Sequence, residues 1–432
     1  DDDEVLRIVK SVYERYQPNI ILEPQIDDDA FYGLAGELIN EISNHSEASR
    51  AALLFQFLIL MGNIFGDKFF KPIGGSNIHT NEFGLIIGDT SKARKGTGLK
   101  AISFFIKKVW KELFTKRIFN GLSTGEGIIW SLRDPIYETR ENKLGEVKTK
   151  LVDPGNPFKS AVFVEQEFSK LLKIGHRETN NVTEVLRAAW DLEILQSLSK
   201  TQPAKASNTF ISLIGHITSD EFLKCISQVD RFNGFLNRFL FCHSYRDKII
   251  SNPINFEILA DKLSNMTDLF CLKSFIDNSP ETEIKLSLEA QNWWDKFYNE
   301  YGSSPDGLYP EVKARTENHL IKIAMIYALL DKSYVIEVDH LKAGKAVVNY
   351  SNGTIDYIFT KQDKRESNNE TKILEFIKLN GGKVSRTAIS YDLFFKKAKA
   401  DQINSYRDKL ISIGKVTIAN ENNTEYWIVN DG

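Results

Sequence analysis

Apolar residues recur at helical spacing from Glu4 to Tyr16 and again from Asp28 to Gly66. The second run closes with "EASRAALLFQFLILMGNIFG", before which Ser46 is placed as an N-cap. Within it, "AALLFQFLILM" from Ala51 is interrupted by Gln56 and falls short of the ~20 residues that span a bilayer. It predicts a buried helix, with no membrane partner, inside an N-terminal helical region of residues 1–80.

From Asn81 the period changes. Through residue 248, short and continuously apolar runs alternate with helical stretches: "FGLIIG", a helix from Leu99 to Phe114, "SAVFVE", a helix through "TEVLRAAWD", "TFISLIG", a further helix, and "RFLFCHS". Continuous apolarity suits strands buried on both faces, and the alternation predicts an α/β fold with a mainly parallel sheet between helices. Residues 249–360 return to helical periodicity, clearest in "ENHLIKIAMIYALLD" and "DHLKAGKAVVNY". The charged stretch "TKQDKRESNNE" breaks the pattern and reads as a linker around residues 361–370. Residues 371–432 then supply three helices closed by the strands "KVTIA" and "EYWIV", the layout of a winged helix.

The 432 residues exceed one ordinary core and predict two to four domains, and 42% hydrophobic residues can fill them. A net charge of −3 leaves no global basic field, so any nucleic acid would be held by local patches. Cys225, Cys242 and Cys271 show no metal or disulfide spacing. The opening "DDDEV" has neither the basic start nor the apolar run of a secretory signal, and a reducing cytoplasm is the expected location.

Candidate chemistry begins at "LIIGDTSKARKGTG", Leu85 to Gly98. An apolar strand runs into Gly88, and a loop of small and basic residues leads to Lys95, Gly96, Thr97 and a helix. A phosphate loop needs this layout: convergent backbone N–H groups and a helix N-terminus for the phosphates, a lysine for the outer phosphates, and a hydroxyl for magnesium. Gly88 supplies the turn, Lys95 the charge and Thr97 the hydroxyl, with Lys92 and Arg94 as further cations. The order Lys-Gly-Thr departs from Gly-Lys-Thr, and a solvated basic loop is the competing reading.

Beyond the loop, "AVFVEQEF" is an apolar strand that ends in Glu165 and Glu167, one to hold magnesium and one to orient or deprotonate water, with the roles open between them. "FISLIGHITSDE" places His216, Thr218 and Ser219 at a strand end, where a polar residue senses a terminal phosphate or simply forms a structural hydrogen bond. "RFNGFLNRFLF" presents Arg231, Asn237 and Arg238, an arginine there reaching a neighbouring subunit's nucleotide or pairing with a local carboxylate.

Taken in order, these stretches resemble the P-loop, AAA+-like ATPase module of primase-helicase proteins carried by phages, plasmids and mobile elements. The resemblance rests on "FYGLAGELINEIS", "SEASRAALLFQFLILMGNIFG", "GDTSKARKGTG", "GLSTGEGIIWSLRD", "FVEQEFSKLL", "EVLRAAWD", "SLIGHITSDEF", "NGFLNRFLF" and the two helical stretches quoted from residues 249–360, so it covers roughly Phe31 to Tyr350. That family writes its loop Arg-Lys-Gly-Thr.

The resemblance implies an AAA+-like core over 81–248, a helical lid over 249–360, ATP and Mg2+ as cofactors, and ring assembly, expected as a hexamer. It also implies phosphate contacts from Gly88, Lys95, Gly96 and Thr97, magnesium at Thr97 and Glu165, catalysis by Glu165 and Glu167, a sensor at His216 to Thr218, and a finger at Arg238. Gly98 stands where the family carries Ser, which leaves the magnesium hydroxyl to Thr97. The primase that often accompanies the module is not among the quoted stretches, so priming is not expected of these residues, while a primase or polymerase is an expected partner class.

Single-stranded DNA in a central channel requires cationic loops that follow the phosphate backbone. Two insertions qualify: "RDPIYETRENKLGEVKTKLVDPGN" with Lys143, Lys148 and Lys150, and "SLSKTQPAKASN" with Lys200 and Lys205. The second is preferred, because it lies just before the sensor strand. The C-terminal unit offers Lys396, Lys397, Lys399, Arg407 and Lys409 for duplex DNA. A DNA helicase or translocase is the leading expectation. A nucleotide-switched initiator or loader without unwinding, and a regulator with an inert ATPase fold, are the alternatives.

Overall fold

The structure is a computed structural model that describes residues 23–432 except 90–92, 142–146, 178–179, 199–202, 264, 304–307, 397, 422–423 and 431–432. It divides into a larger unit, Glu23–Asp356, and a smaller one whose described part begins at Tyr357.

In the larger unit, α1 (Gly33–Asn44) and α2 (Arg50–Phe65) precede the sheet. Helix α1 buries one stripe through Leu38, Ile39 and Ile42, whereas α2 is buried at every residue from Ala51 to Phe65, as a helix that is apolar all round must be. Its N-cap is Ser49, whose Oγ accepts the Ala52 N–H at 3.3 Å, and not Ser46, whose Oγ accepts from Ala48 N–H at 3.2 Å. The chain between the two serines stays extended because Ala48 bridges to Arg246, which delays the helix start.

Five strands form the central sheet: β1 (Phe83–Ile87), β2 (Ile118–Asn120), β3 (Ser160–Glu165), β4 (Phe210–Ile217) and β5 (Phe239–His243), in the order β5-β1-β4-β3-β2 with every pairing parallel. The pattern predicted four of these, and the three-residue edge strand β2 is the addition. Two polar residues of α2 and β3 are accommodated by bonding between helix and sheet. Asn63 Nδ2 donates to Ala161 O at 3.0 Å, and Ser160 Oγ donates to Asn63 Oδ1 at 2.9 Å.

Helix α3 (Lys95–Val109) follows β1. Two antiparallel hairpins extend from the core: Ile136–Glu141 with Val147–Asp153, and Leu195–Ser197 with Ala204–Ala206. Helix α4 (Thr316–Leu330) is buried along most of its length, and α5 (Val338–Leu379) is continuous through the charged stretch read as a linker.

The smaller unit has its own core of Ile373, Ile377, Val384, Ile389, Ile403, Leu410, Val416 and Trp427. Around it stand the end of α5, a short helix Arg386–Ala388, α6 (Ala400–Ser412), and an antiparallel sheet of β6 (Lys383–Ser385), β7 (Val416–Glu421) and β8 (Thr424–Val429), in the order β6-β8-β7. Among the described residues, no helix is long and apolar enough to cross a membrane.

Candidate functional site

Strand β1 is an interior strand, between β5 and β4, and the carboxyl ends of such strands are where open parallel sheets form ligand crevices. Gly88 follows it, and no side chain fits there: a Cβ would lie 2.2 Å from Ser244 O and 2.6 Å from Ala93 Cβ. This approach ties the loop to the end of β5, where Ser244 N–H donates to Ile87 O at 2.7 Å and Ser244 Oγ to Ala93 O at 2.9 Å.

At the loop's other end, Arg94 caps α3 in a left-handed conformation, φ 53°, which costs a non-glycine residue of order 1 kcal/mol. An ion pair holds it: Arg94 Nε lies 2.6 Å from Glu47 Oε2. The other Glu47 oxygen accepts Ile250 N–H at 3.0 Å and pairs with Arg246. These partners, the Ile250 N–H first, keep the Glu47 carboxyl below the usual carboxylate range. Arg94 is thus engaged by protein. Lys92 lies outside the described residues.

The first turn of α3 carries N–H groups that a helix leaves without internal partners. Gly96 faces open space, since a Cβ placed there would have nothing within 4 Å, and Thr97 is exposed on one side. Lys95 Nζ folds back to donate to Gly88 O at 2.6 Å, joining the start of α3 to the residue that follows β1. Burial pulls the lysine below its ordinary range, partly offset by the carboxylates of Asp89 and Glu221.

Strand β4 pairs with β1, and β3 with β4, so three neighbouring strand ends gather residues far apart in sequence. Leu85, Gly215 and Glu165 share one rung. Glu165 is buried, with Oε2 accepting Leu122 N–H at 2.7 Å and Oε1 accepting Glu167 N–H at 2.9 Å. Two backbone donors therefore fix its carboxylate at the carboxyl edge of the sheet. Glu167 points elsewhere: it is exposed and paired with Lys170.

His216 is buried on the α2 face, its Nε2 3.0 Å from Gln56 Oε1. Gln56 Nε2 donates to Ala52 O at 2.7 Å, which turns the Gln56 oxygen toward the ring, so His216 Nε2 carries the proton. Burial, with the Lys95 charge second, pushes His216 down to about 4. Thr218 caps the helix Ser219–Cys225, accepting Glu221 N–H at 3.2 Å and donating to Glu221 Oε2 at 3.0 Å. Gly98 packs against the same α2 surface, where a Cβ would lie 3.0 Å from Gln56 Nε2 and 3.1 Å from Ala48 Cβ.

The remaining arginine is elsewhere. Phe239 pairs with Phe83, so Arg238 lies at the amino edge of the sheet, with the five residues of β1, about 16 Å of strand, between its level and Gly88. It is buried and paired with Asp191 Oδ2 and Gly234 O. Arg231 binds Glu311 at 2.9 Å, and Asn237 Nδ2 donates to Glu311 O at 3.3 Å.

Of the nucleic-acid candidates, Lys205 is exposed on the second hairpin and Lys150 on the first. The side chains of Lys143, Lys148, Lys200 and Lys397 fall outside what is described. Lys396 is exposed over the Tyr391 ring at 4.3 Å, and Lys399 is the N-cap of α6, its N–H on Gln402 Oε1 at 3.0 Å. Arg407 is paired with Asp408 and Glu425 at 2.8 and 3.1 Å, and Lys409 with Glu370 at 2.7 Å.

Sequence reasoning missed Gln56 and Glu47 as site residues. Gln56 announces itself as the polar break in an apolar run, whereas nothing local marks Glu47. No protein-family model matches the chain, and no curated protein matches it.

Proposed function

We propose that the larger unit is a P-loop, AAA+-like ATPase and that the chain is an ATP-dependent DNA helicase or translocase. The observation that carries this reading is the gathering, at the ends of β1, β4 and β3, of the Gly88–Lys95 loop, His216 and the doubly anchored Glu165. A glycine turn and an open helix N-terminus suit phosphate oxygens, and Lys95 suits the outer phosphates once its bond to Gly88 O is exchanged.

The donor set fits Mg2+: one hydroxyl, Thr97, and one carboxylate, Glu165, are hard oxygens, and Mg2+ takes most of its ligands from phosphates and water. Bound there, the ion would neutralise charge on the phosphates. Glu165 is our candidate to orient or deprotonate the attacking water, a role supported by the lone pairs that its two backbone donors leave free. Neutral His216 sits behind Lys95, where a charge on the phosphate side would be felt.

In the smaller unit, the order of helices and hairpin supports a winged-helix reading, and Lys396 on its surface supports DNA as its partner. Arg238, remote from its own loop, is assigned to a neighbouring subunit in a ring.

The test is ATP hydrolysis with and without single-stranded DNA, for wild type and Lys95→Ala. DNA-stimulated turnover that Lys95→Ala abolishes supports the motor. Nucleotide-dependent assembly without turnover would replace it with a switch or loader, and unchanged turnover in Lys95→Ala would remove the catalytic assignment.

A further inference from the structure

The amino edge of the sheet borders a cavity that the phosphate loop does not use. Strands β3 and β4 line it with their first residues, Ser160 and Phe210, and α2 and α3 with their last, Phe65 and Val109. Its volume, about 680 Å³, falls within the ~300–1,000 Å³ of small-molecule sites. Helix α3 runs 15 residues, ~22 Å, from Lys95 to Val109, so the cavity and the loop are separate places.

Much of the lining is apolar. Phe65, Leu113, Phe210 and Ile276 are buried there, and Trp110 and Phe158 are half-buried. Five cations and three carboxylates complete it, and most of these are already bonded. Lys159 Nζ donates to Leu132 O at 2.6 Å, Arg133 O at 2.9 Å and Asp134 Oδ1 at 2.8 Å. Lys68 donates to Ile276 O and, at 3.1 Å, to Ser279 O, carbonyls around the end of the helix Asn265–Asn278, where a cation suits the helix dipole. Lys273 pairs with Asp277, and Glu112 with Lys116 at 2.7 Å.

Two cations are left over. Among the described residues, neither the Lys111 nor the Arg117 side chain has a hydrogen-bond or ion-pair partner, and Asp67 is the one carboxylate of the lining in the same condition. Glu112, already bonded to Lys116, reaches Arg117 only as a longer-range charge. The Arg117 guanidinium carbon lies 6.0 Å from the Phe158 ring centroid, and Lys116 Nζ lies 4.8 Å from it. An unspent guanidinium fork thus stands beside an aromatic ring on the wall of a small-molecule-sized cavity.

The geometry points to a binding site for a small aromatic anion, a flat apolar body with one anionic head, in which Arg117 and Lys111 take the head and Trp110 and Phe158 the body. A guanidinium fork binds a carboxylate or a phosphate through paired N–H donors, and Lys111 adds a point charge. Aromatic walls suit a flat body through offset or edge contacts. A neutral ligand would fill the cavity and leave both cations unanswered, and a cationic one would be repelled by them. The site stands apart from the ATPase reading and does not depend on it.

The probe is anilinonaphthalene sulfonate, a flat body with one sulfonate, titrated into the full chain by fluorescence beside its uncharged parent, phenylnaphthylamine. One sulfonate dye per chain should bind, at least tenfold more tightly than the parent. In the variant carrying Lys111→Ala with Arg117→Ala, circular dichroism unchanged, the two dyes should bind alike, with the loss confined to the charged one. Equal affinities in wild type, or an undiminished sulfonate affinity in that variant, would overturn the site. So would displacement by a non-hydrolysable ATP analogue with Mg2+, which would put the dye at the phosphate loop. Displacement by indole acetate assigns a carboxylate head and displacement by AMP a phosphate head, while displacement by neither would show an adventitious dye and overturn the inference.

Discussion

His216 Nε2 on β4 stands 3.0 Å from Gln56 Oε1 on α2, joining the strand beside the loop to the helix beneath it. The bond uses the neutral ring, and burial together with Lys95 holds the histidine at about 4. The folded state thus refuses a proton that the unfolded chain accepts below about 6.5.

The sign follows from that difference. Stability from His216 is fully present above pH ~6.5 and is lost as pH falls toward 4, by up to about 3 kcal/mol. Thermal unfolding midpoints between pH 7 and 4 should therefore fall more steeply for wild type than for His216→Gln. Parallel curves would show that His216 does not carry the acid sensitivity.

How much of this was legible depends on how local each cause is. Strands β1, β3, β4 and β5 announce themselves because a strand buried on both faces is continuously apolar. Strand β2 does not, since Ile118–Asn120 is three residues long and is held by pairing with β3. Ser46 and Ser49 are equally good caps by residue type, and the choice falls to a bridge between Ala48 and the distant Arg246. The same holds for the cations. Arg94 reads as a phosphate ligand until Glu47 appears beside it, and Arg238 reads as a free finger until Asp191 does. Motif spacing brought Gly88, Lys95 and Glu165 to one edge of the sheet, while pairing partners across tens of residues leave no local trace.

Gly98 and Gly96 should respond in opposite directions. A Cβ at Gly98 meets Gln56 Nε2 at 3.0 Å and Ala48 Cβ at 3.1 Å within a fully packed layer, so Gly98→Ser should cost about 1–3 kcal/mol. At Gly96, where a Cβ meets nothing, Gly96→Ala should stabilise by about 0.4–1 kcal/mol through the unfolded chain. Denaturant unfolding reads both, and a Gly98→Ser midpoint at the wild-type value would contradict the packing argument.

Glu165→Gln separates chemistry from binding. Leu122 N–H and Glu167 N–H each need a carboxylate oxygen, and an amide offers only one, so one buried donor loses its partner at about 1–3 kcal/mol. As the group assigned to the attacking water as well as to Mg2+, its loss should lower ATP turnover ~10²–10⁴-fold, with a smaller loss in binding of the analogue with Mg2+. Glu167→Gln, altering an exposed side chain paired with Lys170, should leave turnover near wild type. The reverse ranking of the two variants would exchange their roles.

Lys205 tests the channel assignment through salt. It is exposed on the strand Ala204–Ala206, five residues before β4 begins, and that strand is anchored where Asp134 N–H donates to Lys205 O at 2.7 Å. The anchor is backbone, so Lys205→Ala should leave the hairpin and basal hydrolysis intact. A lysine that neutralises one phosphate contributes about one unit to the slope of log affinity against log salt. Titrating single-stranded DNA against the variant over a range of salt should show weaker binding with the slope reduced by about 1, independent of base sequence. An unchanged slope would place the DNA path away from this hairpin and turn attention to Lys150 on the first.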